Sequence, residues 1–165
     1  MAVEMELVGV KVRMPATTPV LILREIEGGR RSVPIFIGGP EAHAIDLAVS
    51  ETATARPMTH DLFVEVVSGL GAHFERVVVT KLVDGTFYAD LVTVTSDGEE
   101  RVFSARPSDA VALAVRAKIP IYAEPALIDE VGFVDEEDAE AADEDDIVEE
   151  LRKFLDEVNP EDFQP

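Results

Sequence analysis

The chain has 165 residues, 47% of them apolar, which is the length of one compact domain that buries roughly two-thirds of its unfolded surface. It contains no cysteine, which excludes disulfides, thiolate zinc sites and thiol nucleophiles and fits a reducing compartment. The formal net charge of -20 disfavours non-specific attraction to a polyanion, but 17 acidic and only 2 basic residues fall within 129–165. Residues 1–128 are only mildly acidic, so their charge is compatible with a local basic cleft.

The start of the chain carries Glu4 and Glu6 and lacks a basic segment followed by a long apolar run. Neither an export signal nor a membrane span is therefore predicted. We expect a cytoplasmic protein that does not interact with membranes.

An antiparallel meander of three strands is predicted in the first quarter of the chain. Three runs rich in branched apolar residues are separated by prolines and glycines, and they cover residues 6–14, 20–26 and 33–37. Pro40 then opens a helix predicted over residues 41–49.

A second helix is predicted over residues 59–70, with Thr59 as its N-cap and Gly71 as its stop signal. Its apolar residues recur at helical spacing and share one face: Leu62, Phe63, Val66 and Leu70.

A second meander follows, with Asp84 and Gly85 as a two-residue hairpin turn, over residues 77–83, 86–94 and 101–104. Pro107 opens a third helix that is apolar on every side from Ala110 to Ala117, which predicts that it is buried. Two meanders, each followed by a helix that a proline initiates, predict an α+β fold and suggest an internal duplication.

The last part of the chain is predicted to lie outside this domain, which we assign to residues 1–132. Residues 133–146 are an acidic linker, and residues 147–165 contain apolar residues at helical spacing that predict an amphipathic helix. This helix is expected to dock on the domain, with binding to another subunit as the alternative; for the whole protein we expect a homo-oligomer.

Arginine and proline occur together twice just before a predicted helix, and a carboxylate follows at once. The pairs are Arg56 with Asp61 and Arg106 with Asp109. The free N–H groups of a helix start attract anions, and a guanidinium beside them adds a positive charge that favours phosphate binding. We therefore predict that both arginines bind phosphate.

Glu41, Asp61 and Asp109 each stand in the first turn of a predicted helix, and His60 adjoins one of them. Such carboxylates are the ligands that Mg²⁺ or Mn²⁺ prefers, and the histidine is a candidate ligand or general base. These four residues are the predicted catalytic set, with the three carboxylates as metal ligands. The structural alternative is that the carboxylates complement helix dipoles and pair with arginines, each worth about 0.3 to 1 kcal/mol.

Taken in order, several segments resemble the bifunctional nuclease domain family over about residues 5–132. They are Pro34 to Gly38 with Glu41 and Ala42, Arg56 to Asp61, Gly85 to Ala89, Ser104 to Ala112, and Pro120 to Tyr122. The resemblance implies an α+β domain and hydrolysis of both RNA and DNA, with RNA or single-stranded DNA as the substrate.

The alternative function is a non-catalytic interaction module. Its basis is the concentration of acidic residues in 129–165, which could engage a basic partner or neutralise a basic cleft of the same protein.

Overall fold

The computed structural model describes residues 1–12 and 17–134, and these form a seven-stranded mixed sheet covered by helices. The strands are β1 (Val3–Val12), β2 (Pro19–Glu25), β3 (Ser32–Phe36), β4 (His73–Val83), β5 (Thr86–Val94), β6 (Glu100–Ala105) and β7 (Ile121–Ala123). The helices are α1 (Gly39–Val49), α2 (Thr59–Gly69), α3 (Pro107–Ala117) and α4 (Pro125–Val131). The predicted α+β class is confirmed.

Both predicted meanders are present, and the shortest strand joins them. The sheet order is β3-β2-β1-β7-β4-β5-β6, with β7 antiparallel to β1 and parallel to β4. At this junction Ile121 lies between Met5 and Val77. The strand directions of the two meanders are related by a half-turn about β7, which agrees with a duplication; the duplication itself stays a prediction.

One face of the sheet carries the hydrophobic core. Leu21, Leu23, Val77 and Val79 are fully buried there, because alternate side chains of a strand point to the same face. The buried residues of α1, α3 and α4 join the same cluster, so these helices cover that face. Burying each large apolar side chain stabilises the fold by about 1.5 to 3 kcal/mol.

The third predicted helix, α3, is buried as expected. Pro107 and all residues from Ala110 to Ala114 are buried, and Lys118 ends the helix in a left-handed conformation. The two proline-initiated helices are also confirmed, since Pro40 lies in the first turn of α1 and Pro107 in that of α3.

The predicted N-cap of α2 is wrong by one residue. Met58 occupies the cap position, and its backbone N–H donates to Oδ2 of Asp61 over 2.8 Å. Asp61 reaches back to the helix start from its third position, where a carboxylate satisfies an otherwise free donor. Thr59 is therefore the first helical residue.

The shared apolar face of α2 is exposed. Leu62, Phe63, Val66 and Leu70 all stand in solvent, and the residues of α2 that pack on the core are Val64 and Val67. We call the exposed residues, together with Met58, the α2 stripe.

A buried charge cluster ties β2 to the turn before β3. Glu25 is 3% exposed and accepts hydrogen bonds from the backbone N–H, Nε and Nη2 of Arg31 at 2.9, 3.1 and 2.8 Å. Nη1 of Arg31 donates to Asp129 over 2.7 Å and so links the turn to α4. The hydrogen bonds from Arg31 lower the pKa of the Glu25 carboxyl although burial opposes this.

Replacing Glu25 with glutamine is expected to lower the free energy of unfolding near neutral pH by about 1.5 to 3 kcal/mol, because Arg31 loses its charged acceptor. The folded-state pKa of Glu25 is below the ordinary 4.5, so ionised Glu25 stabilises the protein above that value. This contribution is lost as the pH falls through the lower folded value. Urea unfolding should therefore give a smaller difference between the two proteins in acid than at neutral pH. The control is Glu27→Gln in the same turn, and a difference independent of pH would contradict the assignment.

Residues 135–165 lie outside the described residues. The acidic linker, the amphipathic helix and its docking consequently stay predictions, as do the domain boundaries. Phe133, two residues before that segment, pairs with Ser32 as an isolated β-bridge. In the described residues, no helix has the length and apolar character needed to cross a membrane.

Candidate active site

The first turns of three helices meet at one pocket of about 380 Å³. Glu41 comes from α1, His60 from α2 and Asp109 from α3, and Arg106 joins them from the N-cap position of α3. Each helix start presents free N–H groups and a partial positive charge. Four of the six predicted site residues therefore line one surface.

These four side chains form a continuous chain of polar contacts. Nη2 of Arg106 lies 2.9 Å from Oε1 of Glu41, and its Nε donates to Oδ2 of Asp109 over 2.7 Å. The other carboxylate oxygen of Asp109 lies 3.1 Å from Nε2 of His60. Arg106 thus bridges α1 to α3, and Asp109 bridges α3 to α2.

The members of this chain differ in their access to solvent. The side chains of Glu41 and His60 are 17% and 16% exposed, whereas that of Arg106 is 66% exposed. Hydrogen bonding to Asp109 raises the pKa of Arg106 above its ordinary value and keeps the guanidinium charged. An exposed, permanently charged guanidinium at the pocket mouth is suited to bind an incoming phosphate.

The contact between Asp109 and His60 orients the imidazole ring. A carboxylate that accepts from Nε2–H directs the free electron pair of neutral histidine to Nδ1. Such a pair is an arrangement used for general acid and base catalysis. His43, Met58 and Thr59 complete the nearby wall.

Asp61 takes part in a different interaction. Its Oδ1 accepts from Nε of Arg116 over 2.5 Å, while its Oδ2 caps the start of α2. The Arg116 side chain is 9% exposed and also donates to the backbone oxygen of Ala112. The hydrogen bond from Arg116 lowers the pKa of the Asp61 carboxyl. Asp61 therefore joins α2 to α3 and does not line the pocket.

Arg56 is not among the residues that line this pocket. Arg106 is itself the N-cap of α3, whereas Arg56 lies two residues before the N-cap of α2, in an exposed segment. The two arginine and proline pairs therefore occupy different positions relative to their helices.

The predicted metal ligands are each paired with an arginine. Glu41 and Asp109 flank Arg106, and Asp61 is bound to Arg116. In the described residues, no group of three or more histidine and acidic side chains has the arrangement of a metal site. Glu41 and Asp109 are the two carboxylates that share a pocket.

Arg116 is the structurally important residue that the sequence analysis missed. Its signal was an arginine in the last turn of a helix otherwise apolar on every side, where a buried charge requires a partner.

The bifunctional nuclease domain model matches residues 21–136. An uncharacterized protein of Mycobacterium tuberculosis is 44% identical over 98% of both chains. Bifunctional nuclease 1 of Arabidopsis thaliana is 32% identical over 64% of this chain and 33% of its own length, and bifunctional nuclease 2 of Oryza sativa is 29% identical over 68% and 35%. The match with the plant proteins thus spans about a third of their length. The chain belongs to the bifunctional nuclease domain family.

Proposed function

We propose that the protein hydrolyses phosphodiester bonds in RNA and single-stranded DNA. The observation that carries the proposal is the contact chain from Glu41 through Arg106 and Asp109 to His60 at the meeting point of three helix starts. The names of the plant relatives agree with this activity. A cytoplasmic location belongs to the same proposal.

In the proposed mechanism, Arg106 binds the scissile phosphate and stabilises the charge that develops on it. Water is the nucleophile, because an enzyme that cleaves both RNA and DNA cannot depend on the 2′-hydroxyl. His60 removes the proton from water as the water oxygen bonds to phosphorus, and Asp109 holds the ring and stabilises the imidazolium that results. The bond from phosphorus to one sugar oxygen breaks, that oxygen takes a proton from solvent, and His60 then returns its proton to solvent. Glu41 positions Arg106 from the other side.

A divalent cation is a further part of the proposal. Mg²⁺ or Mn²⁺ would be held by carboxylate oxygens of Glu41 and Asp109 beside Arg106, and it would supply Lewis-acid polarisation of the phosphate. Asp61 would have to leave Arg116 to join them. If a divalent cation takes part in hydrolysis, a chelator is expected to lower the hydrolysis rate and added Mn²⁺ to restore it.

The test is cleavage of single-stranded RNA and DNA by the purified full chain, with and without chelator. Asp109→Asn and Arg106→Ala are each expected to lower the rate by about a hundredfold or more. The matched controls are Asp84→Asn, in a left-handed turn position that asparagine tolerates, and Arg101→Ala, whose side chain pairs with Glu99. Equal cleavage by wild type and both site variants would identify a contaminant and contradict the proposal.

The homo-oligomer expected from the sequence is proposed to form through the α2 stripe. Phe63 of the stripe and Phe103 of β6 line one groove, and β6 is one of the two outer strands of the described sheet. An outer strand beside an exposed apolar surface pairs readily with a second copy across a two-fold axis.

Val66→Glu is expected to reduce the molecular mass in solution to that of one chain, because it introduces a charge into the apolar interface. Light scattering after size-exclusion chromatography measures this mass. Val83→Glu, at an exposed valine on the β4–β5 hairpin, is the control. A wild-type protein that is already a monomer would contradict the proposed interface.

The interaction module remains the second candidate function. It depends on residues 135–165, which lie outside the described residues. Deleting them is expected to raise nucleic-acid affinity and steepen its salt dependence if the acidic segment guards the site. Unchanged affinity and unchanged oligomeric state would contradict this function.

A further inference from the structure

Arg106 also lines a second groove. It has a volume of about 390 Å³, and its walls include Phe36, Gly38, Gly85, Phe87, Arg106 and Ser108. We call it the Phe36 groove. Although β3 and β5 are far apart in the sheet order, the end of β3 and the β4–β5 hairpin meet at this groove.

Arg106 belongs to both the Phe36 groove and the active-site pocket. The two concave surfaces therefore share the residue that binds phosphate in the proposed function. Among the described residues that line the Phe36 groove, Arg106 is the one charged side chain. Glu41 and Asp109, which contact the Arg106 guanidinium, line the active-site pocket and are not among the residues that line the Phe36 groove.

Phe36 presents an aromatic surface at this groove. It is the last residue of β3 and is 70% exposed, although its neighbours Ile35 and Ile37 are buried. A phenylalanine this accessible contributes little to the core. Exposed aromatic rings beside cationic side chains are how proteins hold single strands, because every base has a face that stacks.

We propose that the Phe36 groove is a nucleobase subsite, in which the base of a nucleotide flanking the scissile phosphate stacks on Phe36 while Arg106 contacts the phosphate. The subsite requires an unpaired base, so the substrate is a single strand. This inference rests on the proposed function, because it assigns Arg106 the same role as a phosphate ligand.

The experiment compares wild type, Phe36→Ala and Phe36→Trp on two substrates. One is a short single-stranded oligonucleotide carrying 2-aminopurine, whose fluorescence is quenched by stacking. The other is an abasic strand of the same length, a phosphodiester without any ring that can stack on Phe36. Binding of the oligonucleotide is measured separately from hydrolysis, by fluorescence anisotropy on the full chain. Tyr88→Ala, at an exposed aromatic residue beside Lys81, is the control.

Phe36→Ala is expected to weaken binding of the 2-aminopurine oligonucleotide and raise its KM by about tenfold, to abolish the stacking signal, and to leave hydrolysis of the abasic strand unchanged. Phe36→Trp is expected to restore binding. Equal losses on both substrates, or unchanged oligonucleotide binding, would overturn the subsite. If the wild type binds the strand through Phe36 but cleaves neither substrate, the subsite stands and the proposed hydrolysis fails.

Discussion

Replacing His60 with glutamine is expected to lower the rate of phosphodiester hydrolysis by about a hundredfold or more. In the proposed mechanism the imidazole takes the proton from water, and a neutral amide cannot do this. Binding should change much less, because the phosphate contact belongs to Arg106. Rates and oligonucleotide affinity measured on the same preparation separate the two effects, with a fall in kcat at nearly constant affinity as the expected outcome.

His73→Gln is the matched control for this variant. His73 is exposed at the start of β4 and does not line the pocket, so the same substitution there should leave the rate unchanged. The Asp109→Asn variant should resemble His60→Gln in rate, because the two residues act as a unit and their effects are not additive. Full activity of His60→Gln, or an additive loss in the double variant, would contradict the assignment of the pair.

Replacing Asp61 with asparagine is expected to lower the free energy of unfolding by about 2 kcal/mol. The cap to the Met58 N–H is retained, since an asparagine oxygen accepts it, but Arg116 is left charged and nearly buried without its carboxylate. Denaturant unfolding measures the loss. Glu65→Gln, on the same helix, serves as the control, because an exposed residue should contribute little.

A second substitution distinguishes a structural Asp61 from a metal ligand. Introducing Arg116→Met into the Asp61→Asn protein removes the unpaired charge and should recover much of the lost stability. Hydrolysis per folded molecule should stay near the wild-type value in both proteins. Normal stability with lost activity would instead support the metal-ligand prediction for Asp61.

The local elements of the fold were predictable because their signals are local. Both meanders carry turn residues at their ends, and Pro40 and Pro107 stand in the first turns of α1 and α3. The strand β7 was not predicted, because its three residues are too few to show a periodic pattern. Helix α4 was not predicted either, because its seven residues are also few. Neither contains a pattern long enough to recognise.

The site was predictable in its residue types but not in its geometry. His60 and Asp61 are neighbours in sequence, yet successive residues of a helix point about 100° apart, and only the packing of α2 on α3 decides which one faces the pocket. The repeated arginine and proline pairs differ by two residues in their distance from the helix start. The apolar face of α2 was predicted from its period, but periodicity does not tell whether such a face is buried within the chain or exposed, as it is here.

The position of β7 also has a consequence for the order in which the chain folds. The central strand of the sheet is the last of the seven to be synthesised. Each meander can form its local hairpins as it leaves the ribosome. The two meanders join into one sheet only when β7, which ends at Ala123, has emerged and pairs with both. During translation the nascent protein therefore carries two unpaired inner strand edges, those of β1 and β4.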